Sequence, residues 1–98
     1  MIWVAWFFAG ALLCNSLPHL AAGLQGRPFP TPFARPRGVG NSLPLVNVLW
    51  GMFNGVAGLV LLSLQPVPVG LNAPFIVVIA GALAIGVYLA LHFGKIPK

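Results

Sequence analysis

Ninety-eight residues, 59% hydrophobic and 5% charged with no Asp or Glu, cannot form a water-soluble domain, in which about a quarter of residues are charged. Without a carboxylate there is no acidic general base or nucleophile, no hard-cation site and no acid for a cation transporter. The net charge of +5 excludes less than the pI suggests: Arg27, Arg35 and Arg37 share one segment and Lys95 and Lys98 the C-terminus, so topology and anionic lipid headgroups account for it, not nucleic acid.

Three stretches, about residues 2–22, 43–64 and 74–93, meet the need of a spanning helix for about 20 apolar residues. The expected fold is therefore an all-α membrane protein: one domain, residues 1–98, of three transmembrane helices with a Pro/Arg-rich loop, 23–42, on the cytoplasmic side. The first stretch lacks the basic start of a signal peptide. Cys14 loosely fits a lipoprotein cleavage site, but Leu13 is too large for the position before it. The stretch is read as a retained helix and Cys14, the single cysteine, as a small buried hydrophobe.

Helix one opens on Trp3, Trp6, Phe7 and Phe8, aromatics suited to the headgroup level. Ala5, Ala9, Leu12, Ser16 and His19 share one face. Pro18 cannot bond the Cys14 carbonyl, so the helix is expected to kink or end there, with Asn15 and Ser16 satisfying freed backbone groups. Asn-Ser-Leu-Pro occurs at 15–18 and again at 41–44. The second copy reads as a helix start, capped by Asn41 or Ser42 with proline in the first turn. The first allows a short interfacial helix after a break.

Between them, Pro28, Pro30, Pro32 and Pro36 forbid a regular helix and favour extended polyproline backbone. Phe29 and Phe33 are placed to dip into the interface while Arg27, Arg35 and Arg37 meet lipid phosphates. The segment is either a membrane-surface linker or a pre-stiffened strap docked on a partner.

Helix two gathers Asn47, Gly51, Asn54, Gly55 and Gly58 on one narrow face, with Met52, Phe53, Val56, Leu59 and Val60 largely opposite. Small residues let helices approach and asparagines bond across them, so the first face should meet protein. In helix three, Asn72 is the expected cap, Pro74 lies in the first turn and Gly94 beyond the end. Ala82, Gly86 and Ala90 form a second small-residue ridge; Gly81, Tyr88 and His92 line a separate face.

The run Asn15-Ser16-Leu17-Pro18-His19, then Gly26-x-x-Phe29-x-Thr31-Pro32-Phe33-Ala34-x-Pro36-x-Gly38-x-Gly40, then Asn47-Val48-Leu49-Trp50-Gly51, resembles a group of small uncharacterised bacterial membrane proteins. The match covers about residues 15–51 and departs at Arg37, where a proline is expected. It implies a bacterial inner-membrane protein with a specific loop, and no activity. By the positive-inside rule, the N-terminus and the Gln65–Asn72 connection lie outside and the C-terminus is cytoplasmic.

On this topology His19 and His92 both fall near the cytoplasmic ends of their helices, and Asn47 shares their depth. They form a candidate pair of ligands for a haem, a chlorin or a metal; the alternative is two interfacial histidines bonded to backbone, water or lipid. Asn15 and Tyr88, not alanine, stand four residues before them, unlike light-harvesting polypeptides. Cys14 and His19 show no activating constellation, so an enzyme is not expected. The leading expectation is an accessory or structural subunit of a larger membrane complex, of the photosynthetic or respiratory energy-converting class, with other membrane subunits and anionic lipid as partners. The alternatives are a tetrapyrrole- or metal-binding protein using His19 and His92, and a homo-oligomeric pore for an anion or neutral solute.

Overall fold

The structure is a computed structural model that describes residues 2–97. Three helices, α1 (Ile2–Leu24), α2 (Pro44–Leu64) and α3 (Ala73–Gly94), are each long and apolar enough to cross a membrane. Two-residue strands β1 (Phe29–Pro30) and β2 (Asn41–Ser42) pair antiparallel, Phe29 opposite Ser42 and Pro30 opposite Asn41. The chain is thus an all-α membrane protein with a small strand pair in the first loop.

The central element is α1. Both other helices pack along it and hardly touch each other, which leaves a cleft between α2 and α3 floored by α1. Close approach comes from glycine. A methyl group on Gly10 would overlap the Val78 carbonyl, and one on Gly81 the Phe7 carbonyl, so α1 and α3 meet backbone to backbone. On α2, a methyl on Gly51 would lie 2.7 Å from Leu20 and one on Gly58 2.8 Å from Leu13. The buried residues of α2 are Asn47, Gly51, Asn54 and Gly58, the polar and small face marked in the sequence. Met52, Phe53, Val56, Leu59 and Val60 are exposed, as lipid-facing residues must be.

The helix ends depart from the sequence reading in instructive ways. Helix α1 does not stop at Pro18 but runs through it to Leu24. Pro18 removes one hydrogen bond, yet the turns on both sides are held by packing: Ser16, His19, Ala22 and Gly23 are all buried. Neither a break nor a separate interfacial helix follows. Helix α1 is closed off, two residues past Leu24, by Gly26, whose φ of 71° places it in the left-handed region. There Gly26 N–H bonds the Gly23 carbonyl and Arg27 N–H the Ala22 carbonyl, the paired bonds of a Schellman cap.

Neither Asn41 nor Ser42 caps α2. Leu43 is the cap residue and makes no side-chain cap bond, because Asn41 and Ser42 are drawn into the strand pair. Pro44 takes the first turn as expected, since the missing N–H costs nothing there. Asn72 does cap α3, accepting from Phe75 N–H at 2.9 Å. Helix α3 includes Gly94, one residue past the expected end, within the usual spread of helix boundaries.

The loop is folded, not an extended strap. Beyond β1 the Thr31 carbonyl accepts from both Ala34 N–H and Gly38 N–H, and the Pro36 carbonyl from Val39 and Gly40 N–H. Gly38, at φ 69°, supplies the left-handed turn that the return to β2 requires. Pro30, Thr31 and Ala34 are buried. The prolines forbid a helix, as expected, but tertiary contacts choose a compact turn over polyproline.

Candidate functional site

Asn47 organises the end of the bundle that carries the proline-rich loop. It sits at the first turn of α2 and is fully buried. Its amide nitrogen faces three carbonyls, those of Phe29 at 2.9 Å and of Ser42 and Leu43 at 3.3 Å. Carbonyls only accept, so this end must be the NH2 group. Oδ1 therefore points the other way, to His19 Nδ1 at 2.9 Å. An oxygen of this kind only accepts as well, so His19 carries its proton on Nδ1 and, when neutral, a lone pair on Nε2.

That lone pair has a direction. Nε2 makes no hydrogen bond among the described residues, and none of their sealed side-chain nitrogens or oxygens lacks a partner. His19 is 2% exposed and lines the cleft between α2 and α3. The ring is thus buried everywhere except at the cleft, and Nε2 opens into it. Around it stand the rings of Phe29, Trp50 and Phe93, edge-on at 5.5, 6.5 and 6.5 Å between centroids.

His92 reaches the same cleft from α3. Its Nε2 lies 2.7 Å from the Gly38 carbonyl, so that nitrogen donates and Nδ1 holds the lone pair of the neutral ring. The ring stacks on Tyr88 and meets Phe93 edge-on. The bond ties α3 to the loop, and with Pro30, Thr31 and Pro32 it roofs the cleft. The two histidines singled out in the sequence therefore do meet one cavity, of about 350 Å3. Each has one nitrogen anchored to protein and one left over.

The cleft is apolar apart from a few side chains. Asn15 donates to Asn54 Oδ1 at 3.0 Å, and Asn54 donates to the Trp50 carbonyl at 2.8 Å. Thr31 and Ser42 share a hydroxyl–hydroxyl bond of 2.6 Å, and Thr31 also accepts from Phe33 N–H. Among the described residues no three His, Cys, Asp or Glu side chains cluster as a metal site. Cys14 lines a different recess, with Pro18 and Gly86.

The remaining sequence candidates divide. Gly51 and Gly58 pack tightly on α1, whereas Gly55 has ordinary room, with a methyl there 3.6 Å from Ser16. Ala82 faces Gly10, and Gly86 lies near Cys14. Ala90 is exposed. Phe29 packs inward against His19 and Phe93, while Phe33 stays 65% exposed with its edge on Trp50. Arg27, Arg35 and Arg37 are exposed in a chain with no acidic side chain to pair with them. Trp6 is not merely interfacial: it is 7% exposed and donates to the Gln65 carbonyl at 3.0 Å.

Sequence reading missed the orienting role of Asn47, which it took for helix packing, and the parts of Asn15, Thr31, Gly38, Trp50 and Phe93. One signal was available. Most of these residues belong to the 15–51 pattern, of which Asn15, His19, Thr31, Gly38 and Trp50 line the cleft. Comparison with protein-family models, curated proteins and solved structures finds no match.

Proposed function

We propose that this chain is a non-catalytic binding protein of the membrane, holding a lipid-soluble molecule in the cleft between α2 and α3. The observation that carries this reading is the His19 Nε2 lone pair, aimed by a fully buried asparagine into a preformed apolar cavity. Orienting an imidazole through its other nitrogen is how proteins prepare it to bind. The cavity falls at the low end of the roughly 300–1,000 Å3 typical of ligand pockets, so a ring or headgroup fits and a tail would extend into lipid.

Leu12 lines the cleft, and Leu12→Trp should fill it. Solvent extracts of protein purified in mild detergent should contain a retained non-phospholipid molecule, absent from the Leu12→Trp extract. Identical extracts would sink the reading. Where the molecule is a haem or chlorin with His19 or His92 as axial ligand, the wild type carries a visible absorption band that His19→Ala or His92→Ala bleaches.

A second reading, an accessory subunit of a larger energy-converting complex, is supported by the exposed Arg27, Arg35 and Arg37, whose charges need acidic groups from lipid or a neighbouring chain. The small-residue ridge of α3 adds little to it, because α1 already covers Ala82 and Gly86. Replacing Arg35 and Arg37 by Gln should reduce co-purification of partner chains; unchanged co-purification counts against it. A homo-oligomeric pore lined by Asn47, Asn54 and the arginines has less support, since Asn47 and Asn54 are buried and hydrogen-bonded within one chain and only the arginines remain exposed.

We place the protein in a bacterial inner membrane with the loop inside. Single cysteines at Arg37 and at Val69, which is 87% exposed, in a Cys14→Ser background should label from opposite sides of spheroplasts, Val69 from outside. Labelling from one side overturns the orientation.

A further inference from the structure

Resting on the cleft as a binding site, we infer that its occupant is a hydroxyl-bearing aromatic ring, the head of a lipid-soluble phenol or hydroquinone, donating its O–H to His19 Nε2. His19 Nε2 is an acceptor, since Nδ1 holds the proton for Asn47 Oδ1. His92 Nδ1 is an acceptor for the same reason, its Nε2 proton being given to the Gly38 carbonyl. Asn54 spends both ends of its amide inside the chain. At its two histidines the cleft therefore accepts and does not donate, although Asn15, Trp50 and Tyr88, which carry N–H or O–H groups, line it as well. An occupant bonded to either histidine must bring the proton.

Reversing this polarity is costly. A proton on His19 Nε2 would leave Nδ1 facing Asn47 Oδ1 lone pair to lone pair. Turning the Asn47 amide to relieve that would aim its oxygen at the carbonyls of Phe29, Ser42 and Leu43. A quinone, ketone or ether, which can only accept, is thus disfavoured at His19 relative to the corresponding hydroxyl compound. The walls favour a ring: Trp50 and Phe93 line the cleft and stand edge-on to His19, and aromatic faces and edges favour offset or T-shaped ring partners. A phospholipid acyl chain would use neither the rings nor the lone pair.

The test compares a 4-alkylphenol with its methyl ether, titrated into the full-length protein in phospholipid nanodiscs. Affinity is read together with the 15N resonance of His19 Nε2. The phenol should bind about tenfold tighter than the ether, the worth of one hydrogen bond, and only the phenol should shift the Nε2 resonance. His19→Phe, which keeps a ring, should bring the two affinities together. Equal affinities in the wild type, both abolished by Leu12→Trp, would overturn the donor inference and leave the cleft as a site for apolar rings or acyl chains. Binding of either compound unaffected by Leu12→Trp, or no binding of either, would overturn the cleft reading with it.

Discussion

The α1–α2 pair and α3 are built from different interactions. From α1, polar bonds run at three depths to α2 and the residue that follows it: Trp6 to the Gln65 carbonyl, Asn15 to Asn54, and, fully buried, His19 to Asn47. Asn47 extends the same network into the loop. Among the described residues, and apart from its Asn72 cap, helix α3 has one side-chain hydrogen bond to the rest, His92 to Gly38, and only Gly81 buried. Otherwise it is held by backbone contact at Gly10 and Gly81 and by apolar side chains. In lipid, apolar surface gains little by leaving its surroundings, so helices associate through close packing and hydrogen bonds. The α1–α2–loop unit is a frame tied by polar bonds, and α3 is an apolar wall packed against it. The cleft lies where the two kinds of construction meet.

The largest test of this contrast is Asn47→Leu. It strips partners from His19 and from the Phe29 carbonyl at once. A loss of roughly 2–4 kcal/mol is expected from buried groups left unpaired, measured by reversible unfolding in mixed micelles. A cost no greater than that of Leu49→Ala, on the exposed face, would mean the network does not hold the frame.

Next comes Gly81→Leu, which collides with the Phe7 carbonyl. Overpacking of about 1–3 kcal/mol should fall on the α1–α3 contact alone. Cross-linking between α1 and α3 should drop while the α1–α2 cross-link persists; equal loss of both would make the bundle one unit instead of frame and wall.

His92→Phe keeps the stacking on Tyr88 and removes the latch. About 1 kcal/mol is at stake, and the expected sign is faster amide exchange in residues 31–40 with little change in α2. Protection unchanged in the loop would show that the latch is idle.

The smallest expected differences lie along α2. Gly58→Leu should weaken the α1–α2 contact most, Gly55→Leu less, because that position has room, and Val60→Leu by about 0 kcal/mol on a lipid-facing surface. A ranking led by Gly55 would mean that helix spacing differs from the one described.

Much of this architecture was open to reading before any coordinates. The three spans follow from three uncharged apolar runs of about 20 residues, because the bilayer sets the length and demands apolar surface. The protein-facing side of α2 follows from Asn47, Gly51, Asn54 and Gly58 recurring on one face. Both histidines stood out as polar side chains in apolar helices. Pro18 misled, because proline's local cost can be outweighed by packing on both sides of it. Asn41 and Ser42 misled too: a capping pattern is local, whereas their pairing with Phe29 and Pro30 closes a loop of ten intervening residues that no local rule weighs.

By itself, then, the sequence determined how many helices there are, where they lie and which face of α2 turns inward, since these depend on the solvent and on helical periodicity. Only the tertiary structure decided that α1 is the centre, that α2 and α3 stand apart, and that the proline-rich segment folds into a roof. It also decided which nitrogen of His19 holds the proton. That last choice rests on carbonyls from Phe29, Ser42 and Leu43 meeting one asparagine, a convergence of the loop with two helices. Such a contact depends on chain segments far from His19, and the periodicity of α1 carries no trace of it.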